Sequence, residues 1–452
     1  MTTKLSRRDV LRAAVLGSGG LLLAACQMPM PSTAAPAEGQ EAAPAAQEPI
    51  TLKFHARLGG QSDYFEQQGE IFEEEHGITI KHEPVPGGDA EYYPKLQALF
   101  ATGQMGDVVW SSIGRSQYYF QAANAMLLTL DDLVERDNYD LGQFYATATE
   151  VLRLEGNLYG LPWIIHHGRS AIMMNLDLFE KAGLDVPTLE WTYSDLLELS
   201  VALTEEPEQY GTSFSLGQSD DFLMYVCHAI AFGTHVLSPD GTTCILDSDQ
   251  NMEALQYIYD FYHTHKAGPT PAASKEGSWT MWTTGRLAMF QVGYWGRIAA
   301  AQVRESENPF ESAGILLPVG PSGKRGSMYE NDPLAINSQT EHVDMSWELL
   351  KFYCNRENGV LAANVAAVPG GRPDVWASPE LMADPDHRVF RISMEEATPF
   401  LGPDNFRGEE MNNVMSQIMT PIWNGDKTPE EQVQVAIEAI QVVLDKPRPD
   451  KI

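Results

Sequence analysis

The chain has 452 residues, and its 62 Asp and Glu against 30 Lys and Arg give a formal net charge of −32. A surface of that sign repels phosphate, so the composition argues against a nucleic-acid partner and disfavours an anionic ligand. An apolar content of 43% with 20% charged residues argues against a disordered chain, and the length suggests two domains or two lobes.

Residues 1–25 read as an export signal. Ser6-Arg7-Arg8-Asp9 has a twin-arginine pattern, an apolar stretch runs from Ala13 to Ala25, and Leu23-Ala24-Ala25-Cys26 resembles a bacterial lipoprotein cleavage box. The apolar stretch is shorter than the roughly 20 residues a membrane-spanning helix needs and fits a cleaved secretory segment. Cys26 is then the expected lipidation site, and the expected location is extracytoplasmic, anchored to the cell membrane by the lipid. Loss of Lys4, Arg7, Arg8, Arg12 and Asp9 with the signal moves the net charge from −32 to −35. Residues 26–49 are expected to be a lipid-anchored, disordered tether, because a stretch dominated by Ala and Pro, without an aromatic, Lys or Arg, cannot bury enough apolar surface to fold. Three further cysteines remain. Cys227 and Cys244 either pair in an oxidising compartment or stay free as small buried hydrophobes, and the sequence leaves both readings open.

The folded part begins at Ile50. Ile50, Leu52, Phe54 and Ala56 alternate with Thr51, Lys53, His55 and Arg57, which predicts a strand with one face inward. Gly59-Gly60 turns the chain, and Tyr64 to Glu75 has helical spacing with Phe65, Gln68 and Phe72 on one face. Gly77 closes this helix and Ile78-Thr-Ile80 opens a second strand. A helix over Tyr92 to Ala101 and a strand over Asp107 to Trp110 follow. Such alternation predicts an α/β sheet with helices on both faces. At the other end, Thr428-Pro429-Glu430-Glu431 supplies an N-cap, a proline in the first turn and a capping-box Glu. Val433, Ala436, Ile437, Ile440, Val443 and Leu444 then line one helix face.

Several modest motifs recur in a fixed order. They are Asp107-Val-Val-Trp110, Leu158-Tyr-Gly-Leu-Pro162, Met174-Asn-Leu-Asp-Leu-Phe-Glu-Lys-Ala-Gly183 with Trp191 after it, and Gly285-Arg-Leu-Ala-Met289 followed by Gly293-Tyr-Trp295. Leu317-Pro-Val-Gly-Pro-Ser-Gly323, Trp347-Glu-Leu-Leu-Lys-Phe-Tyr353 and Ile422-Trp-Asn-Gly425 complete the series. Together they resemble the maltose- and multiple-sugar-binding group of ABC-transporter extracellular solute-binding proteins, over nearly the whole chain after the tether. The resemblance implies a two-lobed, periplasmic-binding-protein-like α/β fold with three hinge crossings. Lobe one would take residues 50–161 plus 320–354, and lobe two 162–319 plus 355–452. It also implies a monomeric receptor that delivers a carbohydrate, expected to be an oligosaccharide, to the membrane subunits of an ABC permease. The stretch 322–335 departs from the family pattern by carrying charges where small residues are usual.

A sugar presents apolar C–H faces and a rim of hydroxyls, so its site needs aromatic rings mixed with polar side chains. In open α/β sheets such groups gather on loops at the strand ends. Trp295, beside Tyr294, stands where the family places a stacking Trp and is the leading candidate. Trp110 and Ser111 end a strand, and Arg57 and Gln61 follow the first one. His166 lies just past the first crossing. Asp221 and Phe222 sit on a loop entering lobe two. Arg372 resembles a position at the cleft rim, with a salt bridge to Asp374 as the alternative. Asn331, with Tyr329, completes the set.

No catalytic residue, metal or cofactor is expected. His263-x-His265 has no third ligand at suitable spacing, and Asp247-x-Asp249 lacks the Gly and distal Glu of a calcium loop. No nucleophile elbow or Walker loop is present. A secreted carbohydrate-active enzyme remains an alternative, because two carboxylates for glycoside hydrolysis could lie among so many. The same receptor could also take a polyamine, a glycerol phosphate or a metal complex.

Overall fold

The computed structural model describes residues 50–448, apart from positions 60, 87, 115, 168 and 218–220, and the side chains at 88–90 and 166–167. The signal segment, Cys26 and the tether lie outside the described residues. Two sheets organise the rest.

The first sheet has six strands. Strand β1 (Thr51–Arg57) buries Leu52, Phe54 and Ala56 completely. The alternation predicted an outward His55, but His55 is only 2% exposed. Its Nδ1 accepts from the Gly106 N–H at 2.8 Å and its Nε2 meets Glu83 at 2.9 Å. A strand inside a parallel sheet can be covered on both faces, and toward its C-terminal end β1 buries His55 on the polar side of its pattern while Thr51 and Lys53 stay exposed. The helix Ser62–His76 follows and is closed by Gly77, whose φ of +66° gives the left-handed cap that glycine adopts without penalty. Strand β2 (Thr79–Val85) then lies parallel to β1 along its whole length. The helix Gly88–Ala101 leads to β3 (Val108–Trp110), wholly buried and parallel to β1 on its other side. These boundaries match the predicted elements to within a few residues.

Strand β4 (Gly160–His167) returns to this sheet after a mostly helical excursion. It belongs to the first sheet through His167. After a short connection, β5 (Ala171–Asn175) enters a second, four-stranded sheet with β6 (Tyr210–Ser213), β7 (Leu287–Val292) and β8 (Ser312–Leu316). Its order is β8-β5-β7-β6, antiparallel except for the β6–β7 pair. Strand β9 (Met328–Ile336) comes back to the first sheet, antiparallel to β3 and β4, and the short β10 (Thr398–Pro399) adds to its start.

Each sheet has its own apolar core. Phe54, Phe65, Trp110, Trp163 and Trp347 belong to the first, and Ala362, Ala366 and Val368 join it from later in the chain. Trp191, Tyr225, Phe261 and Trp423 belong to the second. The last helix, Pro429–Leu444, starts with the predicted capping box: the Thr428 side chain accepts from the Glu431 N–H, and the Glu431 side chain accepts from the Thr428 N–H. Cys227, Cys244 and Cys354 are all buried free thiols, which decides between the two readings of the first pair. No helix among the described residues is long and apolar enough to cross a membrane.

Candidate functional site

A cavity of about 270 Å³ opens where the strand ends of the first sheet meet the segment leading into the second. Its first wall is built from β1, β3 and β9. Arg57 is the last residue of β1 and Trp110 the last of β3, so neighbouring parallel strands deliver both side chains to one edge. Strand β9 contributes Glu330 and Asp332, two residues apart and therefore on one face. Asp332 is in register with Ile164 of β4, which also lines the cavity.

The charged groups are paired. Arg57 Nη2 donates to Asp332 Oδ2 at 3.1 Å, and the Arg57 guanidinium stacks 4.0 Å from the centre of the Trp110 ring. Arg169, between β4 and β5, donates through Nη1 to Glu330 Oε1 at 3.2 Å, and its guanidinium lies 5.3 Å from the centre of the Trp295 ring. The two units share one plan: a carboxylate on β9, a guanidinium from another segment, and an indole face beneath it. Both carboxylates are nearly sealed from solvent, at 6% for Glu330 and 3% for Asp332. A charge buried this deeply is tolerated because it is paired.

Backbone geometry supports the arrangement. Arg169 has φ +60° and the cavity-lining Ala367 has φ +47°. Left-handed conformations at non-glycine residues are costly and concentrate at functional sites. The Arg169 carbonyl accepts from Gln291 Nε2 at 3.0 Å. The arginine thus reaches β9 of the first sheet through its side chain and β7 of the second through its backbone. Trp295 sits at the N-cap of the helix Gly296–Arg304 and is half-buried.

The cavity brings together four of the sequence candidates: Arg57, Gln61, Trp110 and Trp295. Others point elsewhere. Ser111 is fully buried, with Oγ donating to Gln121 Oε1 at 2.7 Å, and Ser112 lines the cavity instead. Tyr294 is sealed in a separate cluster, where its hydroxyl bonds His387 Nδ1 at 2.6 Å and burial raises its pKa. Asp221 is fully buried and accepts from the Gly217 N–H at 2.8 Å and the Trp423 indole at 2.7 Å. Phe222 packs edge-on against His235 and Phe400, while its neighbour Leu223 reaches the cavity. Arg372 forms the salt bridge offered as its alternative, 2.8 Å from Asp374, whose carboxyl it holds below the usual range. Asn331 turns to the opposite face of β9, where Nδ2 donates to the Ala148 carbonyl at 2.8 Å, and Tyr329 shares that face, buried in the Tyr294 cluster. The His166 backbone is in register with Glu330, but its side chain lies outside the described residues.

Sequence reasoning missed Glu330, Asp332 and Arg169. The strand Tyr329-Glu-Asn-Asp332 is polar at both parities, so period-two alternation could not choose a face. Arg169 carried no motif at all. Among the described residues no group of three or more His, Cys, Asp or Glu side chains is placed to hold a metal ion.

Comparison with known proteins adds an independent line. The sequence matches a family model described as bacterial extracellular solute-binding protein over residues 58–360. An arabinooligosaccharide-binding protein of Halalkalibacterium halodurans is 24% identical over 389 residues, spanning 78% of this chain and 81% of that protein. An ABC substrate-binding protein from Listeria monocytogenes in complex with cycloalternan superposes with a TM-score of 0.76 at 18% identity, covering 88% of this chain and 99% of that one. An ABC transporter solute-binding protein from Thermotoga lettingae, bound with α-D-tagatose, gives 0.75 at 19% identity over 87% and 100%. At such identities the structural likeness establishes the fold: two α/β lobes, as the sequence motifs implied.

Proposed function

We propose, from the premise that the chain belongs to the bacterial extracellular solute-binding protein family, that it binds a carbohydrate, an oligosaccharide in the first instance, and delivers it to the membrane subunits of an ABC importer. The observation that carries this reading is the meeting of a partly buried Trp295 ring with two Arg–carboxylate pairs in one cavity. An indole face suits the C–H surface of a sugar, and a guanidinium beside a carboxylate offers donor and acceptor to a hydroxyl. The saccharides named for the relatives above support the same class. We place the first hinge crossing in the segment after His167, where the chain passes from one sheet to the other. A solute that touches both lobes favours the closed arrangement by its higher affinity for it.

The export signal and Cys26 support a monomeric receptor lipid-anchored outside the cytoplasm, with residues 26–49 as its tether. Anchoring keeps the receptor at a high effective concentration near its permease.

Thermal shift against a saccharide panel tests the proposal. At least one saccharide raises the melting temperature in a concentration-dependent way; a shift with an unrelated solute and none with any saccharide would refute it. An enzyme would release new reducing ends from polysaccharide, whereas each cavity carboxylate here is already engaged by a guanidinium.

A further inference from the structure

We infer that Phe406 and Tyr119 form a latch between the two lobes, a ring contact that biases them toward the closed arrangement before any solute arrives. The inference rests on the two-lobed receptor reading above and adds a device that tunes how long the receptor holds its solute.

The two rings belong to different bodies. Tyr119 lies on the helix Gln117–Ala123, which packs on the core of the first sheet through Tyr118 and Ala122. Its hydroxyl donates to the Val151 carbonyl at 2.8 Å, which fixes the ring on that side. Phe406 is carried by the other lobe. Its neighbour Asn405 donates through Nδ2 to the carbonyls of Val443, Leu444 and Lys446 at 2.8, 3.1 and 3.1 Å. Arg407 Nε donates to the Pro447 carbonyl at 3.1 Å, and Arg448 Nη2 to Asp404 Oδ1 at 2.9 Å. Val443 and Leu444 belong to the core of the second sheet, so segment 404–407 moves with that core.

The contact has a defined geometry. The rings stack with centroids 5.7 Å apart and planes 26° from parallel, an arrangement in which aromatic pairs attract. The Arg448 guanidinium lies 4.5 Å from the centre of the Phe406 ring and adds a cation–π contact from its own lobe. Phe406 has φ +60°, and Ser116, at the N-cap of the Tyr119 helix, has φ +59°. Residues with side chains hold that conformation only where their surroundings over-determine it. The backbone before Phe406 also closes on Ser116: a β carbon on Gly402 would stand 3.0 Å from Ser116 Oγ.

Beside the ring pair the lobes stand apart. A groove of about 440 Å³ separates Gln117 and Phe120 from Arg407 and Val414. Phe406 is half-buried and joins the core of neither sheet. The ring pair is therefore a point contact, able to break without unpacking either core. A contact made in one arrangement and lost in the other shifts the equilibrium between them by its own free energy.

Double electron–electron resonance on the purified chain, free of solute, tests this. Spin labels go on Glu74→Cys and Glu253→Cys, exposed positions on helices of the first and second lobe, in a Cys26→Ser background that leaves the three buried thiols unlabelled. Phe406→Asn removes the ring and keeps a residue that tolerates the left-handed backbone; Tyr119→Ala removes the other ring. Each is expected to lower the ratio of short to long distances about two- to tenfold, the weight of one aromatic pair. The double variant is expected to go no further than the larger single one, and Tyr119→Phe, which keeps the ring, to match the unsubstituted protein. The saccharide giving the largest thermal shift in the panel above is expected to leave Phe406→Asn about two- to tenfold faster. Distances unchanged in either ring-removing variant overturn the inference. So do singles that add up in the double variant, a Tyr119→Phe shift as large as that of Tyr119→Ala, or an unchanged dissociation rate. If no saccharide binds while another solute does, the carbohydrate reading fails, and the distances measured without solute still decide the latch.

Discussion

The Trp295 indole lies directly over the α carbon of Gly293: a β carbon at position 293 would stand 2.2 Å from Cζ3 and 2.4 Å from Cη2 of the ring. The glycine of the Gly293-Tyr-Trp295 motif is therefore a seat for the ring. Any side chain there must push the indole off its present plane.

Gly293→Ala is expected to weaken solute binding about tenfold or more while the protein stays folded. Overpacking of this kind costs about 1–3 kcal/mol of stability. Titration calorimetry measures the affinity, and the tryptophan emission maximum reports the moved ring. Unchanged affinity would show that the ring position is irrelevant to binding.

Arg57→Ala removes a guanidinium partner of a carboxylate that is only 3% exposed. Loss of one member of a buried pair costs about 3–5 kcal/mol, and the 24% exposure of the Arg57 side chain lowers the expectation to about 2 kcal/mol. The double variant Arg57→Met with Asp332→Asn is expected to recover most of that loss. Urea denaturation of the two variants decides it; equal instability of both would mean that the weakened pairing of Asp332 is not the cause.

His228 and His235 carry a pH dependence. Burial lowers both to a pKa of about 4, against about 6.5 in an unfolded chain. Between those values the unfolded chain binds protons that the folded one refuses, so stability falls as pH drops from about 6.5 to about 4. The two histidines together contribute a slope of up to about 2.7 kcal/mol per pH unit. His235→Gln is expected to remove about half of that contribution, as measured by denaturant titration across the window.

The thiols are expected to be inert in the native protein. Burial pushes Cys227 up to about 12 and Cys244 up to about 11, and Cys354 is raised as well. Reactivity follows the thiolate. Labelling with a thiol reagent at about pH 8 should leave the peptides of all three unmodified until denaturant is added. Recovery of a Cys227–Cys244 disulfide by peptide mapping would contradict the structure.

Asp221 separates structure from recognition. Asp221→Ala leaves the buried Trp423 indole and the half-buried Gly217 N–H without this acceptor, at a cost of about 1–3 kcal/mol, chiefly for the indole. Its melting temperature should fall, with solute affinity altered less than threefold at a temperature where it remains folded. A large loss of affinity instead would return Asp221 to the binding site.

Local chemistry made much of this protein legible. The capping box at Thr428 and Glu431 needs only residues three apart, and it formed as read. Gly77 closes its helix for the same reason. The alternation of strands and helices from Thr51 to Trp110 fixed an α/β sheet, because hydrophobic periodicity is a property of neighbours in the chain. The ordered motifs placed Trp295, Trp110, Arg57 and Gln61, four residues that share a cavity.

Only the tertiary structure decided the rest. On β9, positions 329 to 332 are all polar or aromatic, and a strand sends successive side chains to opposite faces. Which parity faces the cavity depends on what packs on each side. The Tyr294 cluster covers Tyr329 and the Ala148 carbonyl receives Asn331, so Glu330 and Asp332 are left to meet Arg169 and Arg57. Those partners lie 161 and 275 residues away in the chain. A contact of that separation has no periodicity or spacing to announce it; it exists because the first sheet sets β9 beside β3 and β1, and because the connection to the second sheet carries Arg169 past β9.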